Sequence, residues 1–210
     1  MDRLRFVITG TPRIASTWLT EVMRNSFGGA PDIHHEWFAD DMLTALDRWS
    51  SDAPICGSVG QDHSWIEMIH AACADTKWVV GWREPIEQVI SMLHNRWSAI
   101  GRRSPQAIPG FAIKHASREW LALDWALGKA EQLGIELQHW HFDYYTVEPG
   151  VRALAREIGG EAVFDTVLPA PLNVSKKRPL ALPPKAESEL LKLFGSFPRL
   201  VAAYEAARRS

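Results

Sequence analysis

The sequence predicts an α/β fold in three layers, α/β/α, around a central and mainly parallel sheet. Two short apolar runs, residues 4–9 and 78–82, are each followed by a turn and then by apolar residues at helical spacing. A third strand, over residues 135–142, falls between two further helical stretches, so strands and helices alternate along the chain. With 210 residues, 46% hydrophobic and 23% charged, there is enough apolar material for one globular domain over residues 1–210.

In chain order, Phe6, Val7 and Ile8 mark the first strand, which Gly10 and Pro12 end. Trp18, Leu19, Val22 and Met23 recur at helical spacing, with Ser16 or Thr17 suited to cap the first turn and Gly28-Gly29 to stop it. After residues 78–82 comes Arg83-Glu84-Pro85, and Ile86, Val89, Ile90, Leu93 and Trp97 share one helical face. Residues 101–110 read as a basic loop, a candidate lid, before a helix through Trp120, Leu123 and Leu127. Pro149 opens a helix carrying Val151, Leu154, Ala155 and Ile158, which Gly159-Gly160 ends. Residues 168–184 are Pro-rich and irregular, and Leu190, Leu191, Leu193 and Phe194 mark a last helix that Gly195 stops. Parallel sheets bind ligands at the carboxyl ends of their strands, where the turns after the first two runs fall.

A net charge of −2 creates no global positive field that would attract nucleic acid or an acidic membrane, so any anion site is local. Cys56 and Cys73 have no metal-type spacing and imply no disulfide framework, which fits buried thiols in a reducing compartment. No run approaches the roughly 20 apolar residues of a membrane span, and the first residues lack a signal-peptide profile. The expectation is a cytoplasmic protein without membrane or nucleic-acid partners.

The turn GTPRIASTW, residues 10–18, raises the chemical question. On the triphosphate-loop frame G-x-x-x-x-G-K-[ST] it offers Gly10, then Ala15, Ser16 and Thr17, and the lysine is absent. What survives is a run of backbone N–H groups at a helix start, two hydroxyls and a cation, Arg13, a combination that still suits an anion. The bland alternative is an ordinary strand-to-helix turn. In the second turn, Ser91 follows Arg83 and lies about 140° around the helix from Ile86, off the apolar stripe, so both can reach one anion. Separately, each is an ordinary surface residue.

Together these residues resemble a family. GTPRIASTW is similar to the 5′-phosphosulfate loop of sulfotransferases that use 3′-phosphoadenosine 5′-phosphosulfate (PAPS), a P-K-x-G-[ST]-T-W pattern. WREPIEQVIS resembles their 3′-phosphate motif through Arg83 and Ser91, and FDYYTVEPG resembles a Y-E-D-L-x-x-x-P segment, with Phe142 at the aromatic position. NVSKKRP resembles their late basic loop. The resemblance implies a P-loop-NTPase-like architecture and PAPS as sulfuryl donor, with no obligatory metal.

It also implies roles. Arg13, Ile14, Ala15, Ser16 and Thr17 would hold the 5′-phosphate through backbone N–H groups and hydroxyls. Trp18 would stack near the adenine, with Phe142 as a second candidate, or else pack in the core. Arg83 and Ser91 would hold the 3′-phosphate, helped by Lys176, Lys177 and Arg178, whose alternative is a solvated basic run. Arg13 stands where the family has lysine; it can stabilise a leaving oxygen but is a poor proton donor. Ala15 replaces glycine, which predicts ordinary backbone there because a positive φ disfavours alanine.

A general base must take the acceptor's proton; the candidates are Asp32, His34, His35, Glu36, Asp62 and His63, among which the resemblance implies His63, or else Asp32 or Glu36, as the catalytic residue. A metal reading of this cluster lacks both an H-E-x-x-H helix and a zinc spacing. For each histidine alone, a hydrogen-bonded structural role is the plainest reading. The expected activity is sulfuryl transfer to a hydroxyl or amine of a small-molecule or carbohydrate acceptor. The competing classes are a P-loop kinase or nucleotide hydrolase, which should need Mg²⁺ and the missing lysine, and a non-catalytic nucleotide-binding module. Trp37, Trp49, Trp65 and Trp125 are candidates to line an acceptor cleft.

Overall fold

A computed structural model describes residues 3–27, 31–94, 108–160, 163, 167–170 and 181–209. β1 (Leu4–Gly10) leads into α1 (Ser16–Ser26), then β2 (Asp32–His35), α2 (Trp37–Asp40), α3 (Met42–Ser50) and β3 (Ile55–Val59). A 3₁₀ turn (Asp62–Trp65) runs into α4 (Ile66–Ala72), followed by β4 (Lys77–Trp82), α5 (Pro85–His94) and α6 (Ile108–Leu133). β5 (Leu137–His141), α7 (Phe142–Tyr145), α8 (Glu148–Gly159), α9 (Pro184–Phe194) and α10 (Pro198–Ala207) complete the described elements.

The five strands are all parallel, in the order β2-β3-β1-β4-β5. Alternating side chains of β1 divide the core. Phe6 and Ile8 face α1 and α8 through Leu19, Val22, Val151 and Leu154, whereas Val7 faces Trp37, Trp49, Ile66 and Ala126. Beyond it, Val80 and Trp82 of β4 meet α5, α6, α9 and α10 through Met92, Trp120, Leu190 and Tyr204. The expected three-layer α/β/α architecture is therefore present, because period-two strands give the sheet two apolar faces and each is covered by helices.

Several expectations need correction. β2 and β3 were not legible as strands: DIHH has no apolar alternation, and in ICGSV the Phe6 ring fills the place of a side chain at Gly57. The third strand ends at His141, and Phe142 starts a short helix instead of closing the strand. Gly110 lies inside α6; residues 101–107 and Trp97 lie outside the described residues, as do Gly28, Gly29 and residues 171–180. A further helix, α10, follows the one predicted last. Trp49 is 1% exposed and Trp37 is buried beside it, so these two tryptophans are core and do not line a cleft; Trp125 is 42% exposed. Cys56 is buried and Cys73 half-buried, both as free thiols. Among the described residues, no helix is long and apolar enough to cross a membrane.

Candidate functional site

β1 ends on Gly10, opposite Gly81 of β4, and a Cβ on Gly10 would lie 2.0 Å from the Gly81 carbonyl oxygen. Only glycine permits that approach. The following turn carries two left-handed residues, Arg13 (φ 66°) and Ala15 (φ 62°). The expectation of ordinary backbone at Ala15 is therefore wrong. An L-residue is disfavoured in this region by roughly 1–2 kcal/mol, and tertiary contacts offset the cost. Thr11 N–H donates to the Gly81 carbonyl at 3.1 Å, Arg83 Nη1 to the Arg13 carbonyl at 3.1 Å, and the Tyr145 hydroxyl to the Ile14 carbonyl at 3.2 Å. Left-handed turns of this kind bring successive N–H groups to one concave side.

Ala15 is also the N-cap of α1, and no side chain caps the helix, contrary to the expectation for Ser16 or Thr17. Ser16 instead starts the helix and places its Oγ 2.9 Å from Nε2 of His35. The first N–H groups of α1 thus have neither intrahelical acceptors nor a side-chain cap, and the helix dipole adds to their affinity for an anion. Trp18, one turn in, is 7% exposed and packs in the core, where its indole N–H donates to the Pro169 carbonyl at 3.0 Å.

The second turn meets the first because β4 is the neighbour of β1. Arg83 N–H donates to Thr11 Oγ1 at 3.1 Å, and its guanidinium lies 4.4 Å over the Phe142 ring. Glu87 is 3.6 Å away, yet the buried Arg83 Nε has no hydrogen-bond partner among the described residues. Arg13 Nε donates to Ser91 Oγ at 3.4 Å. Ser91 is 3% exposed, so it lies beneath the Arg13 side chain and not on an open surface. No acidic side chain among the described residues pairs with Arg13, and burial lowers the pKa of both guanidiniums, with Glu87 opposing the shift at Arg83. Arginine remains protonated regardless. Gln88, fully buried, ties this turn to α6: Nε2 donates to the Arg83 carbonyl at 2.5 Å and Oε1 accepts from Trp120 at 2.8 Å. Lys176, Lys177 and Arg178 lie outside the described residues.

The three base candidates separate. Asp32 starts β2, level with Cys56, at the end of the sheet away from the cradle. Its carboxylate accepts from Arg48 Nε at 2.6 Å. Glu36 follows the other end of β2, in a left-handed conformation (φ 51°), with its N–H on the Val59 carbonyl at 3.2 Å and its side chain against Gly60. Asp62 accepts from Ser58, whose Oγ in turn accepts from Trp37 N–H at 3.1 Å, so β3 holds the turn that carries Glu36. Burial, then the nearby Glu36 charge, raises the Asp62 pKa to about 6 against the pull of the Ser58 hydrogen bond. Glu119 of α6 is pushed up by burial and by the same Glu36. His63 is 1% exposed; Nδ1 lies 2.8 Å from Thr9 Oγ1, Nε2 has no partner among the described residues, and burial lowers its pKa to about 4. It is neutral at pH 7.

Thr9, Thr11, Gln88 and Tyr145 belong to this assembly without having been singled out as site residues, and His35, one of the wider set of base candidates, meets Ser16 instead. Nothing in FDYY separates Tyr145 from Tyr144, and a buried glutamine on an amphipathic helix has no local signature. Among the described residues, no group of three or more His, Cys, Asp or Glu side chains gathers as a metal site.

No protein-family model matches the chain, and no curated protein does. Among solved structures it is similar to a sulfotransferase from Alicyclobacillus acidocaldarius, with a TM-score of 0.62 and 13% sequence identity, covering 98% of this chain and 96% of that one. At that identity the likeness is one of fold: the five-stranded parallel sheet and its flanking helices form a sulfotransferase-like P-loop fold.

Proposed function

We propose that the chain is a PAPS-dependent sulfotransferase acting on a hydroxyl or amine of a small-molecule or carbohydrate acceptor. One observation carries this reading: two anion-suited turns converge, the first with an uncapped helix start and Arg13, the second with Arg83, whose buried Nε lacks a partner among the described residues. Two turns, each with its own guanidinium, can engage two separate anionic groups. A nucleotide with separate 5′ and 3′ groups matches both, and the fold likeness to a sulfotransferase supports the choice.

In this reading the N–H groups of Ile14, Ala15, Ser16 and Thr17 hold the 5′-phosphate, and Arg83 grips the 3′-phosphate with the planar fork suited to it. PAPS supplies an activated sulfuryl group. Arg13 supplies positive charge where the leaving phosphate gains negative charge, which is the electrostatic contribution such a transfer needs. Ser91 holds Arg13 in place. Glu36 is the general base: it stands at the carboxyl end of the sheet, unlike Asp32, and is half-buried where His63 is fully enclosed.

Calorimetry with adenosine 3′,5′-bisphosphate (PAP) and with ATP·Mg²⁺, followed by donor turnover against a panel of alcohols, amines and sugars, tests the reading. PAP should bind at least ten-fold more tightly, at roughly the worth of one charged hydrogen bond or more. Equal or tighter ATP·Mg²⁺ binding would overturn the reading. Tight PAP binding without transfer to any acceptor would reduce the chain to a binding module.

A further inference from the structure

Tyr145 closes α7 and is fully buried beneath the cradle, 131 residues away in sequence from the carbonyl that its hydroxyl contacts. That carbonyl belongs to Ile14, which sits between the left-handed Arg13 and Ala15. A trans peptide points its C=O and N–H to opposite sides. Anchoring the Ile14 carbonyl in the core therefore turns the Ala15 N–H outward, toward the concave side where an anion would sit. The hydroxyl reaches this position because residue 81 is glycine: a Cβ there would lie 2.8 Å from the Tyr145 oxygen.

The same ring belongs to a closed circuit. Phe142 packs edge-on against Tyr145 at 5.7 Å, carries the Arg83 guanidinium at 4.4 Å, and Arg83 returns to the Arg13 carbonyl at 3.1 Å. Burial pushes the phenol pKa up, so the hydroxyl remains a donor throughout the physiological range.

We propose that Tyr145 is a positioning residue for the 5′-phosphate subsite, its hydroxyl fixing the Ile14–Ala15 peptide so that the Ala15 N–H faces the anion. The proposal rests on the reading of the cradle as a nucleotide 5′-phosphate site. It goes beyond that reading by naming a residue that touches neither ligand nor reacting atoms.

The test is titration of the full chain and of Tyr145→Phe with adenosine 5′-monophosphate, adenosine 3′-monophosphate and PAP, alongside thermal unfolding. The loss of one oriented hydrogen bond should weaken the 5′-monophosphate and PAP about five-fold. The 3′-monophosphate, which needs only the Arg83 turn, should bind as before. A merely structural tyrosine would weaken all three equally or none, and either pattern overturns the proposal.

Gly81→Ala supplies an independent reading, since its Cβ displaces the hydroxyl. It should reproduce the 5′-selective loss by itself and add little in the Tyr145→Phe background. Wild-type affinity for the 5′-monophosphate in Gly81→Ala, or additive losses in the double variant, also overturn the proposal. Should Tyr145→Phe fail to fold, Gly81→Ala alone decides. If the unaltered chain binds neither PAP nor the 5′-monophosphate, the sulfotransferase reading falls and takes the positioning role with it. If the unaltered chain binds PAP while both variants bind normally, only the role of Tyr145 is lost.

Discussion

Arg83 donates to the backbone carbonyl of Arg13 at 3.1 Å, while Arg13 reaches back to Ser91, on the helix that Arg83 introduces, at 3.4 Å. Each cation is thus held by the other's segment, and burial, with a smaller contribution from the Arg13 charge, lowers the pKa of Arg83. Like charges held this close repel, and in the proposed reading the anionic groups of the nucleotide offset that repulsion.

The two arginines should therefore separate kinetically. Arg13→Ala should lower turnover about 10²–10³-fold, the range for losing one group that stabilises developing charge, with PAP affinity changed far less. Arg83→Ala should weaken PAP about 10–100-fold, as expected for a charged hydrogen bond. Calorimetry and labelled-donor turnover read both effects. Loss of affinity alone in both variants would contradict the assigned roles.

Glu36→Gln should lower turnover about 10²–10⁴-fold, the usual contribution of a general base, and leave PAP binding unchanged. Asp32→Asn, at the opposite end of β2 and paired with Arg48, should leave turnover unaltered. An inactive Asp32→Asn with an active Glu36→Gln would reverse the assignment.

Asp62 and His63 should pull the pH dependence of stability in opposite directions. Asp62 titrates at about 6 in the fold, above its ordinary value, so the folded state holds the extra proton and stability falls as pH rises from about 4 to 6. His63 titrates at about 4, below its ordinary value, so the unfolded state holds the extra proton and stability rises with pH from about 4 to 6.5. The two slopes largely cancel in the intact chain. Asp62→Asn should expose a rising profile and His63→Gln a falling one, each at most roughly 1.4 kcal/mol per pH unit. Urea unfolding across that window reads both; flat profiles in both variants would show that neither group is shifted.

Ala15→Gly should stabilise the fold by up to about 1 kcal/mol, the left-handed penalty less the greater freedom of an unfolded glycine. Ala15→Val should destabilise it. Equilibrium unfolding decides, and a destabilised Ala15→Gly would mean that the contacts around Ile14 and Ala15 depend on the methyl group.

How much of this was legible follows from range. β1, α1, β4, α5 and α8 declare themselves through local periodicity and caps, and Arg13 and Arg83 stand at turns that any parallel sheet places at its carboxyl edge, with Ser91 on the helix that follows the second. β2 stayed hidden because Ile33 is its one apolar residue, and it is a strand through pairing with β3 and burial of that side chain. Asp32 and Glu36 are both carboxylates only four residues apart, and only the direction of β2 puts them at opposite ends of the strand. The left-handed conformation of Ala15 has no local signature, because the bonds that hold the turn come from Arg83 and Tyr145, far along the chain.

The left-handed pair at Arg13 and Ala15 has a broader consequence. Glycine is the residue expected where a turn bends left-handed, but here an arginine and an alanine hold the two positive angles. The shape of the turn is therefore enforced from outside it, by a guanidinium and a hydroxyl that the fold brings from Arg83 and Tyr145.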